Sequence, residues 1–198
     1  MRRVYIQLVL FLFLCPLISF SQPKNVILMI GDGMGLSQAY AAYTVNKGQL
    51  NIFTMPVTGF SKTYCADRYV TDSGAGGTAL AIGQKANYES IGLDSLWMPH
   101  PSLIKLAKKK GLSTSIITTC DLTHATPADF VANVRNRNMS EEIALAYLKG
   151  DVDIFIGGGL KNFLSKNRKD KLSLTDSLKA KGYRLIYNLD EINSLNQT

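Results

Sequence analysis

Five residues have the types and neighbours that chemistry needs: Asp32, Ser73, His124, Thr126 and Arg137. Asp32 stands between Gly31 and Gly33, where the backbone can take unusual angles and a ligand can come close. A carboxylate in such a turn is a hard oxygen donor for a divalent cation, and it fits a solvated turn equally well. The surrounding GDGMG lacks the spacing of a dinucleotide-binding loop. Ser73 lies in DSGAGGT, residues 72–78, at the expected start of a helix of small residues. Backbone N–H groups and the helix dipole at such a point favour a developing alkoxide and a bound phosphate. The same residues also read as an ordinary cap, with Asp72 or Ser73 accepting from the first turn. The segment is not Gly-x-Ser-x-Gly, and no histidine is placed to serve as a base. A serine lacking such a base can instead be activated by a metal ion. Thr126 offers a hydroxyl to a hard cation. His124 is a metal ligand, a partner of a metal-held water, or a structural side chain. Arg137 carries the planar fork that grips a phosphate with two bonds, although most surface arginines do nothing of the kind.

These residues need elements to hold them. Residues 25–30 (NVILMI) are a nearly continuous apolar run, which predicts a strand buried on both faces. Further strands are expected over 57–64, 113–119, 153–156 and 183–187. Helices are expected over 37–45, 72–82, 102–110, 141–148 and 174–181, and Pro127 is placed to open another. Strands alternating with helices predict an α/β fold, with a mostly parallel central sheet flanked by helices. Ligands in such folds collect beyond the carboxyl ends of strands. Asp32 follows the first apolar run, and residues 120–126 follow STSIITT, so both fall where a site would form.

The chain has 198 residues, enough for about one domain. Its 22 Lys and Arg against 15 Asp and Glu give a net charge of +7, which favours anionic ligands in general. The basic residues are scattered and no nucleic-acid reader motif is present. Residues 1–21 read as an export signal. Arg2 and Arg3 lead, residues 8–18 are apolar, and Ser19-Phe20-Ser21 suits cleavage before Gln22. The apolar run is shorter than the roughly 20 residues of a membrane-spanning helix, so no span is expected after cleavage. Export places the protein in a secreted or periplasmic location. There Cys65 and Cys120 can pair, or Cys120 can be a plain buried residue.

Several segments, taken together, resemble one family. Residues 25–35 (NVILMIGDGMG) resemble the opening segment of alkaline phosphatases, and residues 70–79 (VTDSGAGGTA) resemble their nucleophile segment. Residues 118–127 (TTCDLTHATP) resemble a metal-site segment, with Asn136-Arg137-Asn138 following at the family's spacing. Residues 153–163 (DIFIGGGLKNF) resemble a later strand and turn. The chain is thus identified as similar to the N-terminal portion of a secreted bacterial-type alkaline phosphatase, with 22–198 as part of the catalytic domain.

The resemblance implies two Zn2+ and one Mg2+ as cofactors. Asp32 would bridge a zinc and the magnesium. Ser73, made an alkoxide by zinc, would be the nucleophile and become transiently phosphorylated. Thr126 would be a magnesium ligand, and Arg137 would hold two phosphate oxygens. His124 stands where some members carry Asp and others His. The family's remaining ligands would come after Thr198, so the 198-residue chain is expected to be an incomplete fragment with the C-terminal part of the fold missing. The function implied is hydrolysis of small phosphate monoesters through a phosphoserine, by a homodimer. The alternative is a non-enzymatic phosphate- or metal-binding remnant of the same fold. A sulfatase would need a different modification motif, and a diesterase a replacement for the arginine.

Overall fold

The computed structural model describes residues 25–193, so the export segment expected at 1–21 lies outside the described residues. Residues 1–31 and residues 32–198 form two separate units. In the first, the expected strand at 25–30 is not formed. Val26, Ile27 and Met29 are each more than four-fifths exposed. An apolar run supplies strand propensity, but a strand needs a hydrogen-bonded neighbour, and 25–30 is unpaired among the described residues.

The second unit is built on two parallel strands, β1 (Ser115–Asp121) and β2 (Ile154–Gly158). Their register pairs Ile116 with Phe155 and Ile117 with Ile156. Because side chains alternate across a strand, Ile116 and Phe155 share one face and Ile117, Ile154 and Ile156 the other. The first face is covered: Tyr147 packs on Phe155 and Phe163, and its hydroxyl donates to Leu122 O at 2.8 Å. The second is open, and Ile117 is 71 % exposed. The strand starts are tied together by Asp153. Its carboxylate accepts from Thr114 N at 2.8 Å and from Lys108 Nζ at 2.7 Å, bonds that hold it below the ordinary carboxylate range.

Seven helices are described in this unit. They are α1 (Leu36–Val45), α2 (Ser73–Ile82), α3 (Leu103–Lys109), α4 (Ala125–Ala128), α5 (Ser140–Ala146), α6 (Leu174–Ala180) and α7 (Leu189–Asn193). Local chemistry explains several ends. Ser102 caps α3 through Lys105 N, and Ser173 caps α6 through Asp176 N. Gly83 closes α2 in the left-handed conformation, at a φ of 73°. The parallel strands require a crossover, and α4 and α5 make it. The core lies between them, around Ile91, Ile143, Tyr147, Val152, Leu174 and Leu178. Burying each aliphatic side chain of this kind contributes about 1.5–3 kcal/mol.

The helices expected at 37–45, 72–82, 102–110, 141–148 and 174–181 are present within a residue or two. Over 57–64 and 183–187 no strand forms, for the reason that applies to 25–30: the described sheet has two strands and offers these segments no partner. Pro127 falls in the first turn of α4, as its third residue, with His124 at the cap position. The α/β class and the parallel sheet flanked by helices stand. No helix among the described residues is long and apolar enough to cross a membrane. Cys65 is buried, Cys120 is half-buried, and both are free.

Candidate functional site

Ser73 is the first residue of α2, and the chain around it is organised by Asp72. The Asp72 carboxylate accepts from Gly74 N and Ala75 N, both at 3.0 Å, while its carbonyl accepts from Gly76 N. This corrects one expectation. Of the first-turn N–H groups read as a cradle for an alkoxide or phosphate, those of Gly74 and Ala75 are engaged by the Asp72 carboxylate itself. The cap reading of Asp72 is therefore right for those two groups, while the helix dipole still acts at Ser73.

The second feature comes from far along the chain. Arg137 Nη1 donates to Ser73 Oγ at 2.9 Å and to Asp72 Oδ2 at 2.9 Å. Asp72 thus caps the helix and anchors the guanidinium that lies on its neighbour's hydroxyl. Burial of Asp72 opposes its ionisation, but the N–H groups of Ala75, Glu89 and Gly74 and the Arg137 guanidinium outweigh this. The carboxyl is held below its ordinary range. The result is a hydroxyl on a helix tip, a fixed cation against it, and an anion that keeps the cation in place. That arrangement can receive a phosphate beside an oxygen nucleophile.

A third feature is the pair Asp32 and Thr126. Thr126 Oγ1 donates to Asp32 Oδ2 at 2.8 Å, bringing together two oxygen donors 94 residues apart. Both are accessible oxygens of the kind a hard cation takes. His124 occupies the cap position of α4 without a side-chain bond to the helix, is exposed, and lines a polar cavity of about 260 Å³ with Asp121, Arg137, Asn138, Lys161 and Asn162. Among the described residues no three His, Cys, Asp or Glu side chains come together in a way that would hold a metal. His100 is paired with Asp94 at 2.7 Å, in a turn of its own.

Three contributors escaped the sequence reading. Asp72 was seen there only as a cap. Glu89 carries no motif, yet its N–H donates to Asp72 and its carbonyl accepts from Arg137 N. Asp129 is 1 % exposed and packs behind α2: Thr78 Oγ1 donates to its Oδ1 at 2.8 Å, and its Oδ2 meets the backbone at Gly77. A Cβ on Gly77 would overlap that oxygen, so this position of the helix requires glycine. Burial pushes the Asp129 carboxyl well above its ordinary value, against the opposing bond from Thr78. Only the spacing Ala128-Asp129-Phe130, a lone acid in an apolar stretch, could have signalled it.

The described residues thus present an α/β fold with a serine at a helix tip, an arginine across it and a carboxylate–hydroxyl pair formed by Asp32 and Thr126. The comparisons with known proteins point to one family. The alkaline phosphatase family profile matches residues 23–198. Alkaline phosphatase 4 of Bacillus subtilis (strain 168) is 37 % identical over 178 residues, covering 82 % of this chain and 38 % of that protein. The structure of the alkaline phosphatase from the Antarctic bacterium TAB5 superposes with a TM-score of 0.81 at 37 % identity, covering 84 % of this chain and 48 % of that one. A histidine-to-aspartate variant of the TAB5 enzyme, described with Mg bound in its M3 site, matches with a TM-score of 0.79 at 35 % identity, covering 86 % and 50 %. The chain belongs to the alkaline phosphatase family. It spans about two-fifths to half the length of these relatives.

Proposed function

We propose that the protein containing this chain hydrolyses phosphate monoesters, with Ser73 as nucleophile and Arg137 as the clamp on the phosphate. The observation that carries this reading is the pair of 2.9 Å bonds from Arg137 Nη1 to Ser73 Oγ and Asp72 Oδ2. They hold a positive charge where a phosphate must sit to meet the serine. In the forward step Ser73 Oγ bonds to phosphorus as the ester P–O bond breaks, and the serine proton leaves with the alcohol. Water then cleaves the phosphoserine and restores the hydroxyl. Arg137 meets the negative charge spread over the phosphoryl oxygens in both steps.

Asp32 Oδ2 and Thr126 Oγ1 form an oxygen pair that fits magnesium, with His124 close by along the chain. A cation held by these two oxygens would supply positive charge to offset the anionic phosphate. The described residues do not supply a zinc set of three or four ligands, so no step is assigned to zinc.

The test is turnover of nitrophenyl phosphate by the full-length protein. Activity should exceed that on the corresponding diester. Chelation should abolish it, and magnesium should contribute to its recovery. Ser73→Ala should lower it on the order of 1,000-fold or more. Mass spectrometry of acid-quenched enzyme should place phosphate on residue 73. Phosphate binding without turnover, unaffected by Ser73→Ala, would select the alternative of a non-enzymatic phosphate- or metal-binding protein. Export of the mature protein beginning at Gln22 is proposed on the composition of residues 1–21, and N-terminal sequencing of secreted material checks it.

A further inference from the structure

We propose that Glu89 is a positioning residue that sets the guanidinium of Arg137 against Ser73. The inference rests on Arg137 being the phosphate clamp. Glu89 lies in the loop after α2, opposite the segment that carries Arg137. Two reciprocal backbone bonds between Ile91 and Val134, both 3.0 Å, bring these segments together antiparallel. Continuing that ladder by one pair places Glu89 across from Asn136 and Arg137, and Arg137 N donates to Glu89 O at 2.9 Å.

Glu89 engages its N–H, its carbonyl and its carboxylate. Its N–H donates to Asp72 Oδ1 at 3.1 Å, reaching the cap of α2. Its carbonyl holds the backbone of Arg137. Its Oε2 accepts from Asn136 Nδ2 at 3.0 Å, and Asn136 Oδ1 accepts in turn from Asn138 N at 2.8 Å. The Arg137 turn is thus gripped on both sides. The ring closes when Arg137 Nη1 reaches Asp72 Oδ2 and Ser73 Oγ. Asp72, Glu89 and Arg137 form one closed circuit, with Ser73 held on it.

Two further facts fit this role. Gly74, next to the serine, packs so closely that a Cβ there would lie 3.0 Å from Ser90 O and 3.4 Å from the carbonyl carbon of Glu89. The loop is therefore seated directly on the first turn of α2. Glu89 also has a φ of 63°, the left-handed region that favours glycine. A side chain is kept at a place where glycine would relax the backbone, and the bond that only the side chain makes is the one to Asn136. The carboxylate fixes Arg137 through its neighbour, without touching the phosphate.

The experiment measures two quantities in the full-length protein: affinity for inorganic phosphate by calorimetry, and kcat and KM on nitrophenyl phosphate. Glu89→Ala should weaken phosphate binding and raise KM by roughly tenfold, because a clamp displaced by a fraction of an ångström loses its fit. Glu89→Gln still offers an oxygen to Asn136 and should recover most of that loss. In an Arg137→Ala background, Glu89→Ala should add nothing further. Unchanged phosphate affinity in Glu89→Ala, or an equal further loss in the Arg137→Ala background, would overturn the proposal. If Glu89→Ala does not fold, failure of Asn136→Ala to weaken phosphate binding overturns it equally. Wild-type protein that binds phosphate without turnover would overturn the phosphatase reading alone, and Glu89 would still be judged on affinity.

Discussion

At the scale of single residues, Arg137 is where type matters most. Its two bonds from one nitrogen fix the guanidinium between an anion and a hydroxyl. A lysine nitrogen can also make two bonds, but it lacks the planar set of N–H groups that leaves a guanidinium able to meet two phosphate oxygens at once. Loss of charge-assisted bonds to a phosphate costs about 1.5–3 kcal/mol, or roughly 10- to 150-fold in affinity. Arg137→Ala should weaken inorganic phosphate binding by that factor, and Arg137→Lys should restore only part of it. Calorimetric titration of both variants checks this. Equal affinity for lysine and arginine forms would mean that charge alone is read.

At the scale of elements, α2 is held from both ends and from behind. Asp72 caps it, Gly83 closes it, and Asp129 lies buried against Gly77 and Thr78. When the Asp129 carboxyl is neutral it can donate to Thr78 Oγ1, which then donates to Ser90 O, 3.3 Å away, while accepting from Gly92 N at 2.8 Å. When it is ionised, Thr78 must turn its proton to Asp129. The folded-state pKa is raised by burial, so the folded protein keeps a proton that the unfolded chain has lost. The stability contribution is fully present below the ordinary aspartate value of about 4. It falls as pH rises toward the folded pKa and levels off above it. Asp129→Asn removes this dependence. Thermal unfolding of the variant between pH 4 and pH 9 should lose less stability than wild type. A wild-type curve rising with pH through this range, with Asn unchanged, would contradict the buried neutral acid.

At the scale of the molecule, the described chain leaves much apolar surface open. Within residues 32–193, Val57 is 84 % exposed, Ile117 71 % and Ile154 57 %, and Phe60 is fully exposed. Isolated surface apolar residues are ordinary, but Ile117, Ile154 and Ile156 form one sheet face. Strand edges and faces of this kind invite association. The 198-residue chain, purified alone, should bind an apolar dye such as ANS and scatter light at micromolar concentration. The isolated substitution Ile117→Thr should reduce both. A monomeric, dye-silent chain would show that the open face is covered in solution.

What the sequence determined by itself is local or compositional. The helices at 37–45, 72–82, 102–110, 141–148 and 174–181 were legible because caps and periodicity act over three or four residues. Ser102 and Ser173 each bond the N–H three residues on. The five candidate residues and the family were legible from short segments, each a run of neighbours. The tertiary structure alone decided which of these meet. Arg137 reaches Ser73 across 64 residues and Thr126 reaches Asp32 across 94. It alone showed that Asp72 takes the N–H groups of Gly74 and Ala75, and that Glu89 and Asp129 lie close to the helix that carries Ser73. It also decided that 25–30, 57–64 and 183–187 are not strands. Propensity resides in the residues of a segment, whereas a ladder of hydrogen bonds, a buried acid or a clamp across a serine exists only when distant parts of the chain are brought into contact.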